Sequence, residues 1–362
     1  MDKSYKSIFS KNYIDARVYK APLNETSKIR LYMNENYFGP SPKYKDAVLK
    51  IIDRDLYQYQ SGGNKMLIEA LSEKYKISNK EILITAGSAE SISQIFYSIL
   101  NSSSVVLLPD PGWSYYRGIS ELLGAKIINY KINRNNDTFE FDVNDLIKKI
   151  CKFNPKLVVI TNPNMPTGNK MEYNDILKVS KYLKNGILLV DEAYIEFSDE
   201  KRNLYKCVNK YRNIIITRTF SKFYGLANLR IGYIIANPDI IDLLYKSSDL
   251  FGISGISQKI AIECLRDTDY YSKLKNDVLR IRDKFIESIN RETSFYAFPS
   301  QSNFVLVDTR SMPSDDVVNK LEAEGFLVRD CITYGMENFI RITIGKEEMM
   351  DGVFRILKEN TL

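Results

Sequence analysis

Six short apolar runs punctuate the first two thirds of the chain: Ile82-Leu83-Ile84, Val105-Val106-Leu107-Leu108, Leu157-Val158-Val159-Ile160, Ile187 to Val190, Ile214 to Thr217 and Gly232 to Ala236. They are short for helices and mostly rich in β-branched residues, so they read as buried strands. Between each run and the next there is room for a helix or a crossover. That alternation predicts an α/β fold, a mostly parallel sheet with helices on both faces.

From about Asp249 the pattern changes. A charged helix is expected over roughly Tyr270 to Glu292, followed by strands Asn303 to Val307 and Phe339 to Ile344 bracketing another helix. With 362 residues the chain exceeds the ~250–300 that one hydrophobic core usually supports. We therefore expect a large domain over residues 31–248, and a smaller α+β domain formed by residues 1–30 and 249–362. No internal repeat or low-complexity linker interrupts this plan.

Composition narrows the chemistry. A net charge of +6 without a basic block argues against a nucleic-acid partner. The chain has no histidine, and Cys151, Cys207, Cys264 and Cys331 lie far apart, which excludes Cys/His zinc sites and histidine-based triads. No metal is expected, and four reduced thiols suit a cytoplasmic protein. The stretch Met1 to Lys20 lacks the apolar segment of a signal peptide, and no run of ~18 apolar residues could cross a bilayer.

Two strand exits carry reactive groups. Lys222 follows the run Ile214 to Thr217, and Asp191 closes the run Gly186 to Val190. In open α/β sheets ligands bind beyond the carboxyl ends of the strands, so both groups stand where an active site belongs. Most lysines are solvated surface charges, but this pair suits an aldehyde cofactor held on lysine as a Schiff base. Pyridoxal phosphate is an electron sink only while its ring nitrogen is protonated, and a carboxylate such as Asp191 would hold that proton. Tyr194 could donate to the ring's phenolic oxygen. Thr219, Ser221 and Arg230 could receive the phosphate.

At this point the sequence resembles the fold-type-I pyridoxal-phosphate enzymes, and among them the histidinol-phosphate aminotransferase group. The likeness is carried by Asn34-Glu35-Asn36 with Gly39-Pro40-Ser41-Pro42, and by Asn162-Pro163-Asn164-Met165-Pro166-Thr167-Gly168. It continues through Asp191-Glu192-Ala193-Tyr194-Ile195-Glu196-Phe197, Thr219-x-Ser221-Lys222 with Gly225 to Arg230, and Arg341-Ile342-Thr343-Ile344-Gly345. The resemblance implies an aminotransferase in which Lys222, Asp191 and Tyr194 are catalytic. It further implies that Ser88, Ala89, Glu90, Trp113 and Asn164 meet the cofactor, with Tyr59 reaching the phosphate of the neighbouring subunit in a homodimer. Arg341, Arg329 and Asn36 would bind substrate.

The substrates so implied are glutamate as amino donor and a small phosphorylated ketone, by default imidazole-acetol phosphate. The alternative is a decarboxylase of a phosphorylated amino acid, threonine phosphate or serine phosphate. A non-enzymatic member is disfavoured by the presence of Lys222. Three departures stand out: Ala89-Glu90 replaces the usual Asp-Glu, Met165 replaces an Asn that bonds the phenolic oxygen, and Ser61-Gly62-Gly63-Asn64 replaces a proline-containing turn. Met165 leaves the phenolic contact to Tyr194, with a reoriented Asn164 as a second candidate, and Ser88 could also serve as a simple helix N-cap.

Overall fold

The computed structural model describes residues 8, 10–15, 27–52, 57, 59 and 62–359. Ser61 and most of Met1 to Lys20 lie outside them. Strand β1 (Ile29–Arg30) is followed by the eight strands of one large sheet: β2 (Ile82–Thr85), β3 (Val105–Asp110), β4 (Lys126–Asn135), β5 (Thr138–Phe141), β6 (Leu157–Thr161), β7 (Ile187–Asp191), β8 (Ile214–Thr219) and β9 (Gly232–Ala236). Their spatial order is β2-β9-β8-β7-β6-β3-β4-β5. The centre, from β4 through β3, β6 and β7 to β8, is parallel, while β9, β2 and β5 join antiparallel.

All six apolar runs lie in this sheet, and their alternating side chains build two cores. Leu83, Val106, Leu108, Val159, Leu189, Ile215 and Ile234 pack with the helices Ser88–Ile99, Ser114–Leu122 and Pro238–Tyr245. Ile84, Leu107, Val158, Ile160, Leu188, Val190 and Ile216 face the other way into a second cluster. Each such side chain contributes roughly 1.5–3 kcal/mol by leaving water. The hairpin β4–β5 is absent from the sequence reading. It lies at the sheet edge, where Lys131, Asn133 and Asn135 keep one face polar and break the apolar run.

A second sheet follows from β10 (Tyr296–Ala297), β11 (Phe304–Asp308), β13 (Arg329–Asp330) and β14 (Phe339–Thr343), in the order β10-β11-β14-β13 and antiparallel throughout. The helix Thr268–Glu292 lays Leu274, Val278, Ile281, Phe285 and Ile289, at helical spacing, into the core. Strand β12 (Phe326–Leu327) pairs with β1, so the chain near its amino end runs alongside β14: Thr343 N donates to Leu31 O at 2.8 Å. This is what carries Met33, Asn34 and Asn36 to the exits of β7 and β8. Among the described residues no helix is long and apolar enough to cross a membrane.

Candidate active site

The register of β7 on β8 pairs Asp191 with Thr217, and Asp191 accepts from Thr217 Oγ1 at 3.1 Å. Its other oxygen accepts from the Tyr116 hydroxyl at 2.6 Å. Asp191 is fully buried; burial raises its pKa, and the two hydroxyl donors pull it back toward the carboxylate. One residue along each strand, Glu192 and Arg218 meet instead: Arg218 donates through Nε (2.8 Å) and Nη2 (2.6 Å) to a single Glu192 oxygen. A buried ion pair thus ties together the same two strand ends that carry Asp191 and Thr217.

Lys222 lies in the turn after β8. Gly225, at φ +69°, closes the turn against Gly39, where a Cβ would come within 2.8 Å of a backbone carbon. Asn36 braces the same turn, donating from Nδ2 to Phe223 O (2.8 Å) and accepting from Phe38 N (3.0 Å). Lys222 Nζ donates to Met33 O at 2.7 Å. Burial lowers its pKa to about 8, helped by the charge of Arg341 and opposed by Glu35. A neutral amine is therefore within reach near physiological pH.

A few residues away is an anion cradle. At the start of the helix Ser88–Ile99 the N–H groups of Ser88 and Ala89 have no partner among the described residues and lie where the helix dipole favours negative charge, whereas Glu90 N donates to Gly87 O at 3.1 Å. Gly87, rather than Ser88, occupies the N-cap; Ser88 is the first helical residue and no side chain caps the end. Gly87 must be glycine: its φ is +89°, and a Cβ would fall 2.4 Å from Arg230 Nη2. The Arg230 guanidinium is thereby laid against the helix start, with Nη1 3.5 Å from Ser221 Oγ and 3.3 Å from Ala227 O. Thr219 Oγ1 accepts from Ser221 N at 3.0 Å. The Glu90 carboxylate turns back to accept from Ala86 N, so its negative charge is held at the helix start beside the cradle.

On the remaining side stands Arg341, almost fully buried, opposite Leu306 and Arg329 in the second sheet. It donates to Tyr32 O at 2.6 Å and to Met165 Sδ at 2.7 Å, with Tyr334 Oη at 3.4 Å, and Nε has no partner. Among the described residues no carboxylate lies within 4.0 Å of it. A buried guanidinium without a carboxylate is costly, and an anionic ligand would offset that cost. Tyr194 accepts from Asn34 Nδ2 at 2.9 Å and meets the Phe304 ring edge-on; burial pushes its pKa up to about 12, so it remains a hydroxyl donor. Asn164 donates to Thr167 Oγ1 (2.7 Å) and Pro111 O (3.2 Å), leaving a buried Oδ1 without a partner.

Trp113 precedes the helix Ser114–Leu122 and sets its ring edge-on to Tyr116, at 5.5 Å between centroids. Trp113, Arg117, Arg329 and Tyr334 line a cleft of about 620 Å³. Arg329 also lies over the Tyr32 ring at 5.6 Å. A larger groove of about 800 Å³, lined by Lys43, Glu69, Lys259 and Arg266, contains none of the residues at the strand exits. Tyr59 stands at the surface, 74% exposed, stacked on Phe251 at 3.9 Å. Among the described residues no cluster of His, Cys, Asp or Glu is arranged to hold a metal ion.

The residues present fit pyridoxal phosphate. A buried carboxylate, a half-buried lysine of lowered pKa, a hydroxyl donor and an anion cradle that a Cβ at Gly87 would fill occur together around one set of strand ends. Three participants escape sequence reasoning: Tyr116, Asn34 as the partner of Tyr194, and the Glu192–Arg218 pair. Asn34 lies inside a quoted motif, but nothing in the motif says which asparagine faces the tyrosine. Tyr116 reads as one more aromatic of an amphipathic helix.

The sequence profile of the family described as aminotransferase class I and II matches residues 26–357. The chain is 33% identical over 361 residues to a histidinol-phosphate aminotransferase of Methanococcus aeolicus, covering 99% of this chain and 95% of that one. Its fold matches the crystal structure of histidinol-phosphate aminotransferase from Sinorhizobium meliloti in complex with pyridoxal-5'-phosphate, with a TM-score of 0.86 at 24% identity over 98% and 97% of the two chains. It also matches L-threonine-O-3-phosphate decarboxylase from Porphyromonas gingivalis, with a TM-score of 0.80 at 20% identity over 92% and 99%.

Proposed function

The chain belongs to the class I and II aminotransferases, and from that premise we propose that it is a pyridoxal-phosphate-dependent aminotransferase of the histidinol-phosphate type. It transfers an amino group between glutamate and a small phosphorylated ketone, with imidazole-acetol phosphate as the first candidate. The observation that carries this reading is Arg341: a buried guanidinium with an unpartnered Nε and no carboxylate of its own, whose charge is felt at Lys222. A planar fork of this kind receives a carboxylate through two parallel hydrogen bonds.

Pyridoxal phosphate, when bound, supplies the electron sink that allows a C–H bond next to an amino group to break. Lys222 would hold the cofactor and then, released by the incoming amine, carry the proton removed from the α-carbon; a pKa of about 8 suits a base at neutral pH. Asp191, whose ionised form the Tyr116 and Thr217 hydroxyls favour against the effect of burial, would hold a proton on the ring nitrogen. Tyr194 would donate to the phenolic oxygen, and Trp113 would stack on the ring. The phosphate would take the N–H groups of Ser88 and Ala89, the Thr219 and Ser221 hydroxyls and Arg230, with Asn164 beside the ring, whereas the Glu90 N–H is already given to Gly87 O at 3.1 Å. Arg341 would clamp the α-carboxylate near the ring plane. Arg329, in the cleft with Trp113, would meet the substrate phosphate, and Asn36 would hold the Lys222 turn against the substrate side.

A homodimer completes this reading. Tyr57, Tyr59, Leu250 and Phe251 form an exposed aromatic and apolar surface that a partner subunit would cover, and Tyr59 would reach the phosphate cradle of that partner. The direct test is to mix cofactor-loaded protein with glutamate and follow loss of the visible absorbance together with formation of 2-oxoglutarate. A panel of phosphorylated ketones that restores the absorbance identifies the acceptor. Carbon dioxide released from a phosphorylated amino acid, with no response to glutamate, would overturn the proposal in favour of a decarboxylase.

A further inference from the structure

Tyr194 has one hydrogen to give, and conjugation with the ring leaves it two directions, both close to the ring plane. Among the described residues the single hydrogen-bond partner of the phenol oxygen is Asn34, whose Nδ2 donates to it at 2.9 Å. An amide nitrogen cannot accept, so the phenol hydrogen must point elsewhere. Met165, Ala193 and Phe304, with Trp113 and Tyr334 packed against them, surround the ring; the first three offer no oxygen acceptor in their side chains, and the Tyr334 hydroxyl lies with Arg341 Nη1 and makes no hydrogen bond to Tyr194. Met165 is itself turned to the Arg341 guanidinium and has no hydrogen to donate.

The orientation of the Asn34 amide is fixed in turn by Thr343, two residues beyond Arg341 on β14. Thr343 Oγ1 receives the backbone N–H of Asn34 at 3.0 Å, which leaves its own hydrogen to donate to Asn34 Oδ1 at 3.3 Å. With Oδ1 held there, Nδ2 is the end that faces Tyr194. Asn303 Nδ2 secures the Asn34 carbonyl at 3.1 Å. Asn34 is 2% exposed and has a φ of +55°, a left-handed conformation that asparagine adopts more readily than most residues.

We infer that Asn34 is a positioning residue for the reaction: the Thr343–Asn34 pair turns the Tyr194 hydroxyl so that its hydrogen is presented to the phenolic oxygen of the cofactor. The inference rests on the proposed function and deepens it. Donation by Asn34 also polarises the phenol O–H and makes it a stronger donor. In a chain with Met165 where a second amide donor would stand, this arrangement assigns the contact to Tyr194 alone.

The consequence can be read without turnover. When the nitrogen joining Lys222 to the cofactor loses its proton, the neighbouring phenolic oxygen is left with its full negative charge. A donor to that oxygen favours the deprotonated form and lowers the apparent pKa of the visible absorbance change. We therefore expect Tyr194→Phe to raise that pKa by about one unit, the size of one hydrogen bond to a charged group. Asn34→Gly, which keeps the left-handed backbone, should raise it by about half a unit or more, but by less than about 0.2 in a Tyr194→Phe background. Thr343→Val removes the hydroxyl that fixes the amide and should behave in the same way. It carries the same cycle if the glycine variant does not fold.

Shifts that add fully in the double variants, or no shift from either Asn34→Gly or Thr343→Val, would overturn the inference. Failure of the proposed function would look different: the wild-type protein would then show no visible band dependent on Lys222 at any pH.

Discussion

The Tyr116 hydroxyl lies 2.6 Å from an Asp191 oxygen, and the second partner of that phenol, Thr161 Oγ1, is 3.0 Å away. The phenol is buried, and both burial and the Asp191 charge raise its pKa, so it stays a donor across the working range. A donor held this way favours the ionised carboxylate, the form that stabilises a protonated ring nitrogen.

Tyr116→Phe should therefore lower kcat by about tenfold, the effect of losing roughly 1.4 kcal/mol of stabilisation of that carboxylate. The KM for glutamate should stay within about twofold, since Arg341 is untouched. Steady-state kinetics alongside thermal denaturation check this. An unchanged kcat would remove Tyr116 from the site.

The pH dependence of Lys222 can be followed in cofactor-free protein. Its pKa of about 8 in the fold lies below the ~10.4 of an exposed lysine, so folding disfavours the charged amine. Below pH 8 the lysine is protonated in both folded and unfolded states and destabilises the fold by an amount of order 2–3 kcal/mol; the penalty fades as pH rises from 8 to about 10.4. Lys222→Met should thus be more stable than wild type at pH 7 and converge with it near pH 10.5. Urea unfolding at a series of pH values measures the gap. A gap that is constant with pH would contradict the lowered pKa.

Arg341→Lys separates amino transfer from decarboxylation. A point charge cannot reproduce the planar fork, so the glutamate half-reaction should slow by roughly 10–150-fold, the loss of about 1.5–3 kcal/mol. The half-reaction with a phosphorylated amine lacking a carboxylate should suffer less. Stopped-flow spectra of the two half-reactions compare them directly. Equal losses would mean that Arg341 does not distinguish the donor.

Composite sites follow from the dimer reading. Mixing Tyr59→Ala with Lys222→Ala subunits in equal amounts should restore at most about a quarter of wild-type activity, because half of the dimers are hybrid and each hybrid has one intact site. Activity no greater than the sum of the parents, measured after subunit exchange, would argue that each subunit works alone.

The exits of β7 and β8 were legible in the sequence because a buried parallel strand announces itself as a continuous apolar run, and the first polar residues after it fall at the sheet edge. Lys222 and Asp191 are found in that way. Hairpin β4–β5 was not, since alternating Lys and Asn residues at an edge do not separate strand from loop. Tyr116 and Asn34 were hidden for a different reason. Their contacts, to Asp191 and Tyr194, join segments 75 and 160 residues apart, and only the packed fold decides which of many tyrosines and asparagines faces inward. The Glu192–Arg218 pair depends on strand register, which neither run specifies alone.

Attachment of the cofactor to Lys222 is most directly tested by borohydride reduction of the loaded protein, proteolysis and tandem mass spectrometry. We expect one pyridoxyl-phosphate adduct, on the side chain of Lys222, and its complete absence in Lys222→Ala. An adduct on another lysine, or retained labelling in the Lys222→Ala protein, would contradict the site described above.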